Sequence, residues 1–209
     1  MITMELTEVF IFNRALDGKD IYSLPSFDTL NMSEMLIGVL KDSLVKQGFL
    51  KNPNELTSEG ARIVERISKF KNAKKYVRID NMVMGIMSDG FCILLQKSYF
   101  DDDYDFFVID ISNGAEQLLE SYDFLKRQYA EDLQKEIEIS YEELVKEFEI
   151  KAADSFEFVT IDNVQKKNKT DEIVFSSRDR LYIYERTKKL LFSKTSVEIQ
   201  KILNERMAV

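Results

Sequence analysis

The stretch NELTSEGARIVERISKFKNAKKYVRI, residues 54–79, decides the fold. It opens on Leu56-Thr57-Ser58-Glu59-Gly60, runs through a helical stripe and a cationic segment, and ends in a strand. Thr57 is an N-cap, since its hydroxyl can accept from a free amide of the first helical turn. Gly60, Ile63, Val64 and Ile67 recur at helical spacing and form the inward stripe. With no side chain, Gly60 lets a neighbouring element approach that stripe closely.

Working outward, Ser33 caps a helix through about Gln47, with Leu36, Ile37, Leu40 and Leu44 on one face and Gly48 as its stop. Pro53 and Asn54 make the turn between the two helices. Upstream, EVFIFNRAL is a short amphipathic segment between Thr7 and Gly18, and SLPSF around Pro25 is a loop. Downstream, the pattern predicts strands at about Tyr76–Ile79, Met82–Met87, Phe91–Gln96 and Tyr104–Ile111. Ser88-Asp89-Gly90 is the hairpin turn between the second and third. FCILL and FFVI are continuous apolar runs, the mark of central strands covered on both faces. Ser112 then caps the helix GAEQLLESYDFLKRQ.

The remaining chain echoes this order. SYEE, residues 140–143, is a capping box for the helix YEELVKEFEI. Strands are expected at about Phe156–Ile161, Glu172–Phe175, Leu181–Glu185 and Lys189–Phe192, with KKNKT and SSRD as turns. TSVE, residues 195–198, caps a last helix bearing Ile199, Ile202, Leu203 and Met207. The expected fold is therefore α+β: two pseudo-symmetric halves, each helix–four antiparallel strands–helix, sharing a central sheet. We expect a single domain over residues 1–209, with an N-terminal half 1–134 and a C-terminal half 135–209.

Composition narrows the function. With 44% hydrophobic and 32% charged residues, the 209-residue chain has the make-up of a globular protein. No apolar run reaches bilayer length, and the acidic N-terminus lacks a cationic start followed by a small-residue cleavage site. Cys92 is the one cysteine and lies in an apolar run, so an internal disulfide is impossible. A cytoplasmic location and no membrane insertion are expected. The net charge of -8 weighs against nucleic acid as the main partner. The chain has no histidine, the side chain best suited to proton transfer near neutral pH and the commonest transition-metal ligand.

Three candidate chemistries follow. Arg62, Arg66, Lys69, Lys71, Lys74, Lys75 and Arg78 form the densest cationic group, and the local order around them also occurs beside winged-helix recognition helices. Against this, Glu59 and Glu65 interrupt the positive face, and about four strands follow where a wing needs two. Asp101, Asp102, Asp103 and Asp105 are hard oxygen donors of the kind calcium or magnesium takes, but their spacing lacks the glycine and distal glutamate of an EF-hand. An acidic turn between strands is the simpler reading, so no metal and no cofactor are expected. No serine or cysteine lies in a glycine-flanked elbow, and no glycine-rich phosphate loop occurs. An enzyme is not expected.

The element order over residues 33–125, in LVKQGFLKNPNELTSEGARIVERISKFKNAKKYVRIDNMVMGIMSDGFCILLQ and FFVIDISNGAEQLLESYDFL, resembles EspG-like secretion-associated chaperones of type VII (ESX) secretion systems and their Firmicutes relatives. The resemblance rests on a helical pair, the Leu-Thr-x-x-Gly helix start, antiparallel strands and a returning helix. It implies a cytosolic, non-enzymatic protein that binds a helical-hairpin secretion substrate before export. The expected partner-binding residues come from the residues themselves: aromatic Tyr99, Phe100 and Tyr104 beside the acidic turn, and Ile199, Ile202 and Met207 on the terminal helix. Two alternatives stay open. One is a winged-helix DNA-binding regulator over residues 33–98; the other is a cytosolic immunity protein whose acidic surface neutralises a toxin.

Overall fold

Ser33, Thr57, Ser140 and Thr195 each begin a helix through their hydroxyls. They accept from the amides of Leu36, Gly60, Glu143 and Glu198 at 3.2, 3.2, 3.3 and 3.2 Å. At Ser140 and Thr195 the glutamate reciprocates, accepting the cap's own amide at 3.0 and 2.9 Å. Each cap satisfies donors that the first helical turn leaves without intrahelical partners. The computed structural model describes residues 2–87, 91–97, 103–110, 120, 122–130, 136–162 and 167–207.

The order of elements is β1 (Ile2–Glu5), α1 (Leu6–Arg14), α2 (Glu34–Lys46), β2 (Leu50–Asn52), β3 (Glu55–Leu56), α3 (Ser58–Lys71), β4 (Lys75–Ile79), β5 (Met82–Ile86), β6 (Phe91–Lys97) and β7 (Asp103–Asp110). Then follow β8 (Ile137–Glu138), α4 (Tyr141–Glu147), β9 (Ser155–Asp162), β10 (Lys167–Ser177), β11 (Arg180–Glu185), β12 (Leu190–Lys194) and α5 (Ser196–Met207). The fold is α+β, with ten strands in antiparallel sheet and a separate hairpin of β2 and β3. The expected sequence of helix and four strands is present as α3 with β4–β7, and helix–four strands–helix as α4, β9–β12 and α5. The turn at residues 88–90 and residues 114–119 and 121 of the expected helix lie outside the described residues; in place of its last turn, Asp123–Lys126 form a 3-10 helix.

The chain divides into two compact units, Met1–Ala73 with Ile93–Val108, and Lys74–Cys92 with Ile109–Val209. In the first, α1 packs against both α2 and α3. Val9, Phe12, Leu44, Ile63, Ile67 and Phe70 are buried there. β1 pairs with β7, Met4 opposite Tyr104.

In the second unit the strand order is β5-β4-β9-β10-β11-β12-β8. Residue alternation gives this run two faces. On one, α4 packs Leu144 and Phe148 against Ile173, Phe175, Tyr182, Tyr184 and Leu191. On the other, Glu172 meets Arg206 of α5, whose Ile199, Leu203 and Met207 are buried. The expected turn KKNKT is corrected here. Residues 167–170 extend β10 against β9, with a register shift between Asn168 and Thr170. The turn at Arg178 and Asp179 is real, and both residues take positive φ, 51° and 58°.

Candidate protein-binding surfaces

The LTSEG segment builds a junction between two helices. Gly48, at φ +81°, ends α2 in the left-handed conformation that glycine adopts without steric cost. The Thr57 amide then donates to the Phe49 carbonyl at 3.1 Å. Its hydroxyl reaches the carbonyls of Gly48 and Phe49 at 2.8 and 3.0 Å. One threonine thus caps α3 and ties it to the end of α2. Gly60 completes the junction, since a Cβ there would stand 2.2 Å from the Phe49 carbonyl oxygen.

Three cations of α3 have partners within the chain. Arg62 pairs with Glu59 at 2.7 Å and Lys69 with Glu65 at 2.8 Å. Lys71 turns inward: its ammonium donates to the Asn13 amide oxygen at 2.8 Å, to the Lys19 carbonyl at 3.0 Å, and to Asp17. Asn13 is fully buried and donates to the same Lys19 carbonyl at 2.8 Å. The Lys71 hydrogen bond holds the Asp17 carboxyl below its ordinary range. Further on, Lys75 donates to the Arg206 carbonyl at 2.8 Å, and Arg78 lies 3.5 Å from Glu157.

The residues expected to bind a partner are distributed differently from the expectation. Tyr99 and Phe100 lie outside the described residues. Tyr104 is a buried strand residue, only 4% exposed. Its edge lines a groove of about 590 Å³ with Glu5, Thr7, Pro25 and Lys97. On α5, Ile199 and Met207 are core side chains and Ile202 is half-buried, so the helix spends its apolar stripe within the chain. In the acidic segment, Asp105 accepts from the Thr3 hydroxyl, while Asp101 and Asp102 lie outside the described residues. Among the described residues no group of three or more potential ligands is placed to hold a metal.

The exposed apolar side chains lie elsewhere. On α2, Met35 is 82% exposed, Val39 61% and Leu36 42%, and Gly38 between them has nothing within 4 Å of where its Cβ would stand. Leu36 was expected on the inward face; only Ile37 and Leu44 of this helix are buried. On α4, Tyr141 and Val145 are about half exposed, one turn apart. A groove of about 710 Å³ opens beside Val145, with Phe148, Tyr129, Lys151 and Arg178 in its walls. Val197 stands out alone at the start of α5.

A family model, described as a domain of unknown function (DUF5081), matches residues 2–205. The chain belongs to the DUF5081 family. No curated protein matches it.

One buried polar cluster of this DUF5081 chain also calls for a physical account. Glu172 and Glu185 face each other across β10 and β11, and both are buried. Arg206 reaches Glu172 at 3.3 Å, and Lys188 reaches Glu185 at 3.0 Å. Burial nevertheless raises the Glu172 carboxyl above its ordinary range, against the pull of Arg206. With Lys75 holding the Arg206 carbonyl, the cluster fastens the last turn of α5 to the sheet. Among the described residues no helix is long and apolar enough to cross a membrane.

Proposed function

We propose that this DUF5081 chain is a secretion-associated chaperone or adaptor of the EspG-like kind, which binds a helical secretion substrate before export through a type VII system. In this reading it works in the cytoplasm and catalyses no reaction. The observation that carries the reading is the outer face of α2. Met35, at 82%, and Val39, at 61%, are exposed in the interior of a helix, with Leu36 beside them and a glycine whose Cβ position meets none of the described residues. Methionine is flexible and polarisable, and so fits partner surfaces of varied shape. Gly38 costs helix stability, roughly 0.5–1 kcal/mol relative to alanine, and no neighbour among the described residues accounts for it. A helix from a partner, crossing close at Gly38, accounts for both features.

The pairing of Arg62 and Lys69 with carboxylates on the same face and the inward turn of Lys71 support this reading over a DNA-binding one, because a phosphate-binding face needs cations unaccompanied by negative charge. The test is genetic and biochemical. The tagged chain, purified from its native cytosol, is expected to carry a small helical protein encoded nearby, and deleting its gene is expected to stop that protein's export. Unchanged export in the deletion strain rejects the proposal. Rescue of growth against a co-expressed toxin, with export unaffected, favours the immunity alternative.

A further inference from the structure

The segment from β8 through α4 concentrates charge and exposed apolar surface in one place. Residues 136–149, EIEISYEELVKEFE, carry Glu136, Glu138, Glu142, Glu143, Glu147 and Glu149 against the single cation Lys146. Among them Ile137 of β8 and Tyr141 and Val145, one turn apart on α4, are 39%, 47% and 51% exposed. Glu143 is engaged in the cap of α4, and Glu149 approaches Lys151 at 3.6 Å. Glu138 and Glu142, which flank Tyr141, make no ion pair among the described residues. The ring of Tyr141 is held from one side: the Arg186 guanidinium lies 5.5 Å from its centroid and is itself fixed by Glu157 at 2.5 Å and Asp171 at 3.2 Å. A half-exposed aromatic whose orientation is set in advance loses little freedom on binding.

We propose that this side of α4 docks a cationic amphipathic segment of a partner protein. The inference rests on the reading of the chain as a partner-binding protein and assigns it a second, electrostatically selective contact. Ile137, Tyr141 and Val145 take the apolar side of the incoming segment. Glu138 and Glu142 face its lysines and arginines. Charge complementarity selects this occupant. An acidic segment or a nucleic acid meets like charge here, which costs binding energy. A second copy related by a two-fold axis at α4 sets carboxylates against carboxylates. The carboxylates are spread along the stripe rather than converging on one point, so a divalent cation is not held.

The probe is a short labelled amphipathic helix built from leucine and lysine, titrated with the full chain by fluorescence anisotropy; its leucine–glutamate counterpart is the control. The lysine peptide is expected to bind, and binding to weaken as salt rises through the range where the Debye length falls below about 10 Å. Tyr141→Ser with Val145→Ser is expected to weaken it on the order of tenfold and to leave its salt dependence in place. Glu138→Lys with Glu142→Lys is expected to weaken it as much and to flatten the salt dependence. Val145→Ser alone, which leaves the Arg186 contact untouched, is expected to weaken it less, and the circular dichroism of every variant is expected to match the parent. Val197→Ser, at an exposed position of α5 outside both surfaces, is expected to change nothing. Absence of binding, equal binding of the glutamate peptide, full affinity in the Tyr141/Val145 variant, or self-association of the chain in place of peptide binding each overturns the inference. If export of the neighbouring protein still depends on this chain while its α4 variants export it normally, the chaperone reading stands and this docking surface falls.

Discussion

Gly60 lies against the main chain of Phe49, so close that a Cβ would stand 2.2 Å from the carbonyl oxygen and 3.1 Å from Leu56 Cδ2. Gly60→Ala must therefore push α3 away from the end of α2, a backbone shift rather than a rotamer change. The higher helix propensity of alanine offsets only part of that cost. We expect a net loss of about 2 kcal/mol, within the range of overpacked sites. Gly38→Ala is the contrasting case, since its Cβ meets open space. It is expected to stabilise the chain by roughly 0.5–1 kcal/mol. Urea unfolding of the two variants, read as opposite shifts in midpoint, checks both.

Lys71 belongs to the same unit and is only 12% exposed at its side chain. Lys71→Met leaves the buried Asn13 oxygen without its donor and removes a charged hydrogen bond, at an expected cost of about 2–3 kcal/mol. The substitution also changes the acid limb. Asp17 is held below its ordinary value of 3.8 by Lys71. Its contribution is therefore present above that pH and is lost as pH falls through the lowered value. In Lys71→Met the chain starts less stable and loses less on acidification. Denaturation midpoints taken from neutral pH to about pH 3 measure the narrowing difference.

Glu172 titrates in the opposite sense. Burial raises its carboxyl above the ordinary 4.5, so the folded chain binds a proton more readily than the unfolded one. Stability then falls as pH rises from about 4.5 through the raised value, and the loss persists above it. Glu172→Gln removes the buried charge while keeping an acceptor for Arg206. It is expected to be more stable than the parent at neutral pH, with the difference closing as pH falls below 4.5. The groups facing this site, Arg206, Glu185 and Lys188, remain in place. A variant less stable at every pH shows instead that the Arg206 pair outweighs the cost of burial.

What was legible in the sequence was local. Ser33, Thr57, Ser140 and Thr195 cap because a hydroxyl and a free amide lie within three residues of each other, and no tertiary partner is needed. Gly60 was readable as a close approach because a glycine on an apolar stripe has few other uses. What failed depended on distant neighbours. Leu36 shares a periodic pattern with Ile37 and Leu44, yet which side of α2 faces inward is set by α1, and Leu36 stays 42% exposed. Ile199 and Met207 form a stripe whose pattern is the same whether it meets the chain's own sheet or a partner, and here both are buried in the chain. Lys167–Thr170 looked like a polar turn, but opposite Asp162, Ile161 and Thr160 they lengthen a strand. The capping box of α4 was readable, but that Tyr141 and Val145 stay exposed follows only from the packing of Leu144 and Phe148 against the sheet.

The outer face of α2 separates function from stability. Met35 and Val39 contribute little to the core, so replacing both by serine is expected to move folding stability by no more than about 0.5 kcal/mol in either direction. Their loss from an interface is a different matter, because exposed side chains at the centre of a contact carry most of its energy. We expect the double variant to unfold like the parent, to lose its co-purifying helical protein, and to fail to restore that protein's export in the deletion strain. Gly38→Leu is expected to do the same by holding a crossing helix away, although leucine favours the helical state of α2 itself. A variant that is more stable yet unable to bind assigns this face to a partner rather than to the fold. If both variants restore export, the partner docks elsewhere on the chain.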